Sequence, residues 1–226
     1  MSTSTSASAA KNAAKSSAAK ASANSGQPAR QIWRWRVVDI VVAAVLGVAI
    51  GLVFWGWNTI GYAWFGAADA LTPGLGGIAV GIWLLGGVVG GLVIRKPGAA
   101  LVVELVAAIV SMLIGNVWGI STILSGLVQG LGAEIIFALF FYRRFGLAVA
   151  ALAGIGAGAA AWVFELFYGS SPNILKSFEF NTIYLVSVVV SGAILAGVLG
   201  WLLVRALAVT GALSRFAAGR EHVREV

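Results

Sequence analysis

Cysteine is absent from this 226-residue chain, and histidine occurs only once, at His222 near the C-terminus. Without cysteine there is no disulfide, no thiolate nucleophile and no cysteine-bound metal, and one terminal histidine cannot supply a catalytic triad or a histidine-based metal site. Charge is scarce as well, since Asp, Glu, Lys and Arg make up 10% of the residues, against about 25% in soluble globular proteins. These shortages exclude an ordinary water-soluble enzyme, and we expect neither a cofactor nor a bound metal ion.

The sequence also lacks the short motifs of common catalytic sites. No Gly-Lys dipeptide occurs, so there is no phosphate-binding loop of the GxxxxGK[ST] type and no ATP hydrolysis by that mechanism. GxSxG, HExxH and paired aspartates within apolar segments are missing too, so intramembrane proteolysis has no candidate site. This pattern is typical of a protein that binds or conducts a substrate, and we predict that the chain is not an enzyme.

Apolar residues, in contrast, form 60% of the chain. They are grouped in six runs, each with roughly the 20 residues that a helix needs to cross about 30 Å of hydrocarbon. The runs are residues 37–57, 75–94, 98–117, 120–142, 146–167 and 184–204. Backbone groups in lipid must be hydrogen-bonded internally, and the ten-residue alternation of membrane barrels is missing. We therefore predict an all-α membrane protein, a bundle of six transmembrane helices.

The basic residues indicate how the bundle is oriented. Of the 15 Lys and Arg residues, 14 lie before the first run, between runs two and three, between runs four and five, or after run six. Only Lys176 falls on the opposite side. By the positive-inside rule both termini are cytoplasmic. The net charge of +7 is therefore a topology signal, and we expect no nucleic-acid partner.

The composition also divides the chain into three parts. Residues 1–32 are rich in Ala, Ser and Lys and have no apolar stretch, so we predict a disordered cytoplasmic tail and not a signal peptide. Residues 33–206 form the predicted membrane domain, and residues 207–226 a cytoplasmic C-terminal tail. We expect a multi-pass protein of a prokaryotic plasma membrane, with the lipid bilayer as its surroundings.

Ala43, Gly47 and Gly51 follow one another at intervals of four in the first run. Small residues at this spacing let two helix backbones approach closely, since lipid supplies no hydrophobic force for helix association. Two interpretations stay open for this stripe: it packs inside the bundle, or it docks on another membrane subunit.

Three glutamates lie within the apolar runs, at Glu104, Glu134 and Glu165. Carboxylates inside a membrane are costly and usually face the bundle interior, where they mark candidate functional sites. Each glutamate shares a helix face with small residues, which supports inward placement. The alternative interpretation is a structural carboxyl group that is hydrogen-bonded to neighbouring helices.

Aromatic and amide side chains gather toward the outer half of the predicted bundle. Aromatic residues at a membrane surface are often only an interfacial belt, but that interpretation explains Asn116, Gln129 and Glu165 poorly. Flat rings beside amides and a carboxylate suit a small planar heterocycle, because the rings stack on it and the polar groups pair with its nitrogens. The predicted substrate-binding residues are Trp57, Asn58, Trp64, Glu104, Asn116, Trp118, Gln129, Glu134, Trp162, Glu165, Tyr168 and Tyr184.

Two stretches carry a family resemblance. The sequences RKPGAALVVELVAAIVSMLIGNVWG and LSGLVQGLGAEIIFALFFYRRF resemble the YkoE family, the substrate-binding S components of energy-coupling factor (ECF) vitamin transporters. The likeness covers residues 33–204, and it is most specific at residues 95–98, Glu104, residues 116–119 and residues 129–134. It implies a six-helix bundle of ECF S-component type.

The resemblance also implies a function. S components capture a vitamin or precursor near the outer face, assemble with a transmembrane T component and two ATPase subunits or domains, and are thought to topple to release cargo inside. YkoE proteins are associated with thiamine or its hydroxymethylpyrimidine precursor. An alanine-rich stripe on the first helix of S components docks on the T component, and Ala43, Gly47 and Gly51 correspond to it here. Thiamine-specific S components include a histidine around the pyrimidine, for which Gln129 or Asn116 would have to substitute.

Two other functions are compatible with the residues. Glu104 and Glu134 could relay protons in a self-sufficient secondary transporter, although the two halves of the chain show no convincing internal repeat. The small-residue stripes alone would suffice for a membrane scaffold that binds no ligand.

Overall fold

The computed structural model describes residues 33–168, 172–213, 216, 218 and 219. The predicted disordered tail over residues 1–32 lies outside this part of the chain, and its disorder stays a prediction. From Trp35 onward, the described residues form one compact unit. The described residues contain helices and turns but no β-strand.

Six helices follow one another in the predicted order. They are α1 (Val37–Leu71), α2 (Leu75–Ile94), α3 (Ala99–Ile114), α4 (Ser121–Leu139), α5 (Leu147–Phe167) and α6 (Phe178–Val209). Five of them are long and apolar enough to cross a membrane, whereas α3 has 16 residues. Helix α3 is short because Gly98 (φ +83°) and Gly115 (φ +124°) adopt backbone conformations at its two ends that residues with a side chain rarely take.

The predicted boundaries of α1 and α6 were wrong. Helix α1 continues 14 residues past the predicted end at Trp57 and stops at Thr72, which is extended because the following Pro73 disfavours a helical conformation there. Helix α6 begins at Phe178, where the hydroxyl of Ser177 accepts a hydrogen bond from the Phe180 N–H at 3.1 Å. It also runs to Val209, so the predicted C-terminal tail begins inside this helix.

Helix α2 is the most enclosed of the long helices, and its outer half departs from α-helical geometry. Residues Leu75–Leu84 form a 3-10 helix, and Leu85–Ile94 continue as an α-helix. Glycine allows the 3-10 segment to lie directly on α6, since a Cβ on Gly77 would be 2.8 Å from a methyl group of Val188. The Gly81 N–H also donates to the Ser191 hydroxyl at 2.9 Å. Directly after Ser191, α6 contains a π-helical segment, Gly192–Val198.

The small-residue stripe of α1 packs against α3. Ala43, Gly47 and Gly51 are all buried, and a Cβ on Gly47 would lie 2.5 Å from Val106. The interpretation of this stripe as packing inside the bundle is therefore the one that the structure favours. The three residues predicted to dock on a partner are buried, and α3 lies against Gly47 and Gly51.

The cytoplasmic turn between α2 and α3 is tied to α1. The buried carboxylate of Asp39 accepts a hydrogen bond from the Lys96 ammonium and pairs with Arg36 at 3.1 Å. The indole N–H of Trp35 donates to the Pro97 carbonyl at 2.9 Å. These contacts hold the cytoplasmic ends of α1, α2 and α3 in one arrangement.

Candidate functional site

A cavity of about 550 Å³ lies in the outer half of the bundle, and all six helices contribute to its lining. This volume is within the range of small-molecule pockets, about 300–1,000 Å³. Its rim includes side chains that are exposed, such as Tyr62 and Trp118, and its inner part is formed by buried residues such as Glu104 and Ala108. The cavity therefore leads from the outer surface into the interior.

Glu104 on α3 is the most buried charged residue of this cavity, with 1% of its surface exposed. Its Oε2 accepts a hydrogen bond from the Gly87 N–H at 2.5 Å. Its Oε1 is buried and has no hydrogen-bond partner among the described residues. Because an unpaired buried carboxylate oxygen is expensive, Glu104 offers an acceptor that a ligand can satisfy.

Gln129 on α4 adds an amide to the same cavity. It is also nearly buried, with 7% of its surface exposed, and its Nε2 donates to the Ser125 hydroxyl at 2.7 Å. An amide nitrogen carries two hydrogens, so one N–H is left after this bond. Glu104 and Gln129 together provide an acceptor and a donor for a polar ring.

One wall of the cavity is aromatic. The ring of Trp83 meets that of Trp118 edge to face at 5.5 Å, and Trp118 meets Tyr62 in the same way at 5.6 Å. Asn58 fixes this wall, because its amide accepts from the Trp83 indole N–H at 2.9 Å and donates to the Ser111 hydroxyl at 3.0 Å. A single side chain on α1 thus connects α2 with α3 at the cavity.

Another part of the lining is formed by α5, α6 and the segment between them. Tyr184 donates a hydrogen bond to Oε2 of Glu165, and its ring packs between Phe65 at 6.1 Å and Phe180 at 5.7 Å. The ammonium of Lys176 lies 4.0 Å from the centre of the Phe180 ring. This wall therefore combines aromatic faces with one carboxylate and one ammonium group.

Asn116 lies behind the aromatic wall and does not line the cavity. Its side-chain oxygen accepts from the backbone N–H groups of Trp118 and Gly119 at 3.0 and 2.9 Å and from the Thr122 hydroxyl at 3.1 Å. These bonds shape the short connection between α3 and α4. Asn116 is thus placed to hold Trp118 in position.

Glu134 is also outside the cavity lining. Its carboxylate accepts from the backbone N–H groups of Gly98 at 2.6 Å and Ala100 at 2.9 Å, at the N-terminus of α3. It accepts a third bond from the Tyr142 hydroxyl at 2.7 Å. Burial raises the pKa of Tyr142, and this bond to Glu134 raises it further, so the phenol stays a donor. The arrangement matches the structural interpretation of this glutamate.

Three predicted tryptophans lie away from the cavity lining as well. Trp57 supports the aromatic wall from behind, because it donates to the Ala79 carbonyl at 3.0 Å and contacts Trp83 edge to face. Trp64 is 60% exposed on the outer part of α1. Trp162 is half-buried on α5, and its indole N–H has no hydrogen-bond partner among the described residues.

Seven of the twelve predicted residues come together around the cavity. They are Asn58, Glu104, Trp118, Gln129, Glu165, Tyr168 and Tyr184. The predicted set missed Trp83, which lies in the middle of an apolar run and gives no sequence signal beyond its distance from either membrane surface. It also missed Lys176, although its isolation on the outer side of the chain was visible in the sequence.

Comparison with known proteins shows the family. Residues 38–160 match the family model described as the permease component of an ABC-type cobalt transport system. The chain is 38% identical over 195 residues to YkoE of Bacillus subtilis (strain 168), which bears the name of an HMP/thiamine permease protein, and the match covers 83% of this chain and 92% of that one. The chain belongs to the YkoE family.

The YkoE-family assignment agrees with a solved structure. The fold matches the crystal structure of an S component of an ECF transporter with a TM-score of 0.78 and 36% identity, over 85% of this chain and 95% of the other. The predicted six-helix S-component fold is confirmed. This YkoE-family chain is a multi-pass plasma-membrane S component, the substrate-binding subunit of an ECF transporter.

Proposed function

We propose that this S component captures hydroxymethylpyrimidine or thiamine at the outer face and releases it inward when a T component and ATPase subunits supply the energy. The observation that carries the proposal is the buried, unpaired Oε1 of Glu104 in a cavity of about 550 Å³. The name of the B. subtilis relative, an HMP/thiamine permease protein, supplies the candidate ligands.

The pyrimidine ring that both ligands share fits the polar groups of the cavity. Its amino group donates to Oε1 of Glu104, and a ring nitrogen accepts from the remaining N–H of Gln129. Trp83 and Trp118 supply aromatic surface for the ring. A site built in this way rejects an analogue without the amino group, because the carboxylate oxygen is then left unpaired.

The residues favour an organic ligand over the cobalt in the name of the family model. Among the residues that the structure describes, no three His, Cys, Asp or Glu side chains come close enough together to hold a metal ion. Aromatic rings and amides, which are poor ligands for cobalt, dominate the cavity instead.

The sequence contains no phosphate-binding loop. In the proposed importer, ATP hydrolysis is therefore assigned to partner subunits. A T component that contacts α1 would meet its exposed face, including Val41, Val45 and Leu52. The buried stripe of Ala43, Gly47 and Gly51 would stay against α3 in that complex.

Ligand titration of the purified protein, followed by tryptophan fluorescence and calorimetry, tests the proposal. We expect both ligands to bind at micromolar concentration or below and to quench the fluorescence, because Trp83 and Trp118 line the cavity. Trp83→Phe should remove much of the signal, whereas Trp64→Phe, outside the cavity, should keep it. Absence of binding by both ligands, or equal binding of a pyrimidine without the amino group, would refute the proposal.

A further inference from the structure

Lys176 stands out because of where its charge lies. Among the described residues that line the cavity, it is the one with a basic side chain. It follows the single 3-10 turn Asn173–Leu175 between α5 and α6 and is exposed. Its ammonium nonetheless lies 4.0 Å from the centre of the Phe180 ring, which lines the same cavity.

A carboxylate completes the surroundings of this ammonium group. Glu165 lines the same cavity as Lys176 and Phe180. One oxygen of Glu165 accepts from the Tyr184 hydroxyl, and Tyr184 in turn stacks on Phe180 at 5.7 Å. An aromatic face beside a carboxylate is the combination that binds an organic cation.

We infer that Phe180 and Glu165 form a cation subsite that the Lys176 ammonium fills in the empty protein, so that a cationic ligand has to displace this side chain. Lysine suits this role, because its charge is carried on a flexible stem of four carbons that can swing into solvent. The subsite lines the same cavity as Trp83 and Trp118. A ligand anchored by its pyrimidine at Glu104 would extend toward it.

The inference rests on the proposed function and decides between its two ligands. Thiamine carries a permanently charged thiazolium ring, and hydroxymethylpyrimidine is neutral. Lys176 therefore competes with the thiazolium of thiamine and leaves the neutral pyrimidine unaffected. The side chain acts as a specificity residue that shifts selection toward the neutral ligand.

Isothermal titration of the full-length protein with thiamine and with hydroxymethylpyrimidine tests this role in three forms: wild type, Lys176→Gln and Lys176→Arg. We expect Lys176→Gln to bind thiamine about two- to fivefold more tightly, as expected for losing one exposed cation–π competitor. Its affinity for hydroxymethylpyrimidine should stay within about twofold of wild type. Lys176→Arg keeps the cation and should resemble wild type with both ligands.

The outcomes separate the two proposals. If both ligands bind but Lys176→Gln leaves the ratio of their affinities unchanged, or weakens thiamine binding, the cation subsite is refuted and the proposed function stands. If neither ligand binds the wild-type protein, the proposed function is refuted and the specificity role of Lys176 with it.

Discussion

Buried carboxylates at the cytoplasmic end of the bundle and around the cavity differ in how their oxygens are used. At the cytoplasmic end, Glu134 accepts from two close backbone N–H groups and the Tyr142 hydroxyl, and Asp39 pairs with Arg36 and Lys96. Around the cavity, Glu104 accepts one backbone N–H and keeps a buried oxygen without a partner among the described residues. The comparison teaches that burial alone does not mark a binding residue. What distinguishes Glu104 is a buried oxygen without a hydrogen-bond partner among the described residues, on a side chain that lines the cavity.

The glycines of α1 differ in how closely the neighbouring helices pack against them. Gly47, in the inner half, lies so close to α3 that a Cβ would be 2.5 Å from Val106. Gly56, farther out on the same helix, has nothing within 4 Å of the corresponding position. The inner part of α1 is closely packed and its outer part is open. Four predictions can break or sharpen these comparisons.

The largest expected effect is that of Glu134→Ala on stability. Removing the carboxylate leaves the N–H groups of Gly98 and Ala100 and the Tyr142 hydroxyl without their acceptor, which we expect to lower the free energy of unfolding by about 3–5 kcal/mol. Thermal unfolding in detergent measures this, and ligand affinity of the folded fraction should be unchanged. A loss below about 1 kcal/mol would remove the structural role of Glu134.

Glu104→Gln should weaken ligand binding and leave the stability nearly unchanged. The amide oxygen can still accept from the Gly87 N–H, so the melting temperature should change little. Binding of the aminopyrimidine should weaken about 10- to 100-fold, because the amide oxygen stays on Gly87 and the remaining NH2 group cannot accept a hydrogen bond from the ligand's amino group. Calorimetry measures the affinity. A variant that unfolds as readily as Glu134→Ala while binding normally would reverse the comparison.

Gly47→Ala is expected to destabilise the protein by about 1–3 kcal/mol, because the added methyl group overlaps Val106 in a packed interface. Gly56→Ala is the matched control on the same helix and should change the stability by no more than about 0.5 kcal/mol. The melting temperatures of both variants give the answer. Equal melting temperatures would show that the α1–α3 contact accommodates an added methyl group without loss of stability.

The smallest effect is predicted for Tyr142→Phe, which removes one of the hydrogen bonds to Glu134. We expect a loss of about 0.5–1.5 kcal/mol in stability, and a double variant with Glu134→Ala should cost no more than Glu134→Ala alone. Additive losses would mean that the two side chains stabilise the protein independently.

Much of the fold could be predicted from the sequence, because length and apolarity determine a membrane helix and basic residues determine its orientation. The end of α1 was missed since Asn58 and the residues after it look polar and small enough for a loop, while the true stop signal is Thr72 before Pro73. The 3-10 segment Leu75–Leu84 depends on tertiary contact with α6, which no local pattern reveals.

The sequence predicted part of the candidate site, and tertiary contacts decide the rest. Glu104, Gln129 and Glu165 are conspicuous because the bilayer disfavours such side chains, and all three line the cavity. Glu134 also lies on a helix face of small residues, with Gly126 and Gly130 before it, as Glu104 does with Ala108 and Ser111 after it. Only the position of the α3 N-terminus beside it decides that its oxygens are used within the protein.

The lengths of the helices bear on the membrane itself. With 35 residues, α1 is about 52 Å long, whereas the 16 residues of α3 cover only about 24 Å. The hydrocarbon of a bilayer is roughly 30 Å thick, so α1 is longer than this thickness and α3 is shorter. A helix that is too long tilts or emerges from the lipid, and one that is too short draws the bilayer thinner around it. Since α1 and α3 are packed together by Gly47 and Gly51, these two responses oppose each other in one rigid pair. We therefore expect a change in bilayer thickness to act on α1 and α3 together, and so to change the angle at which the cavity meets the outer surface.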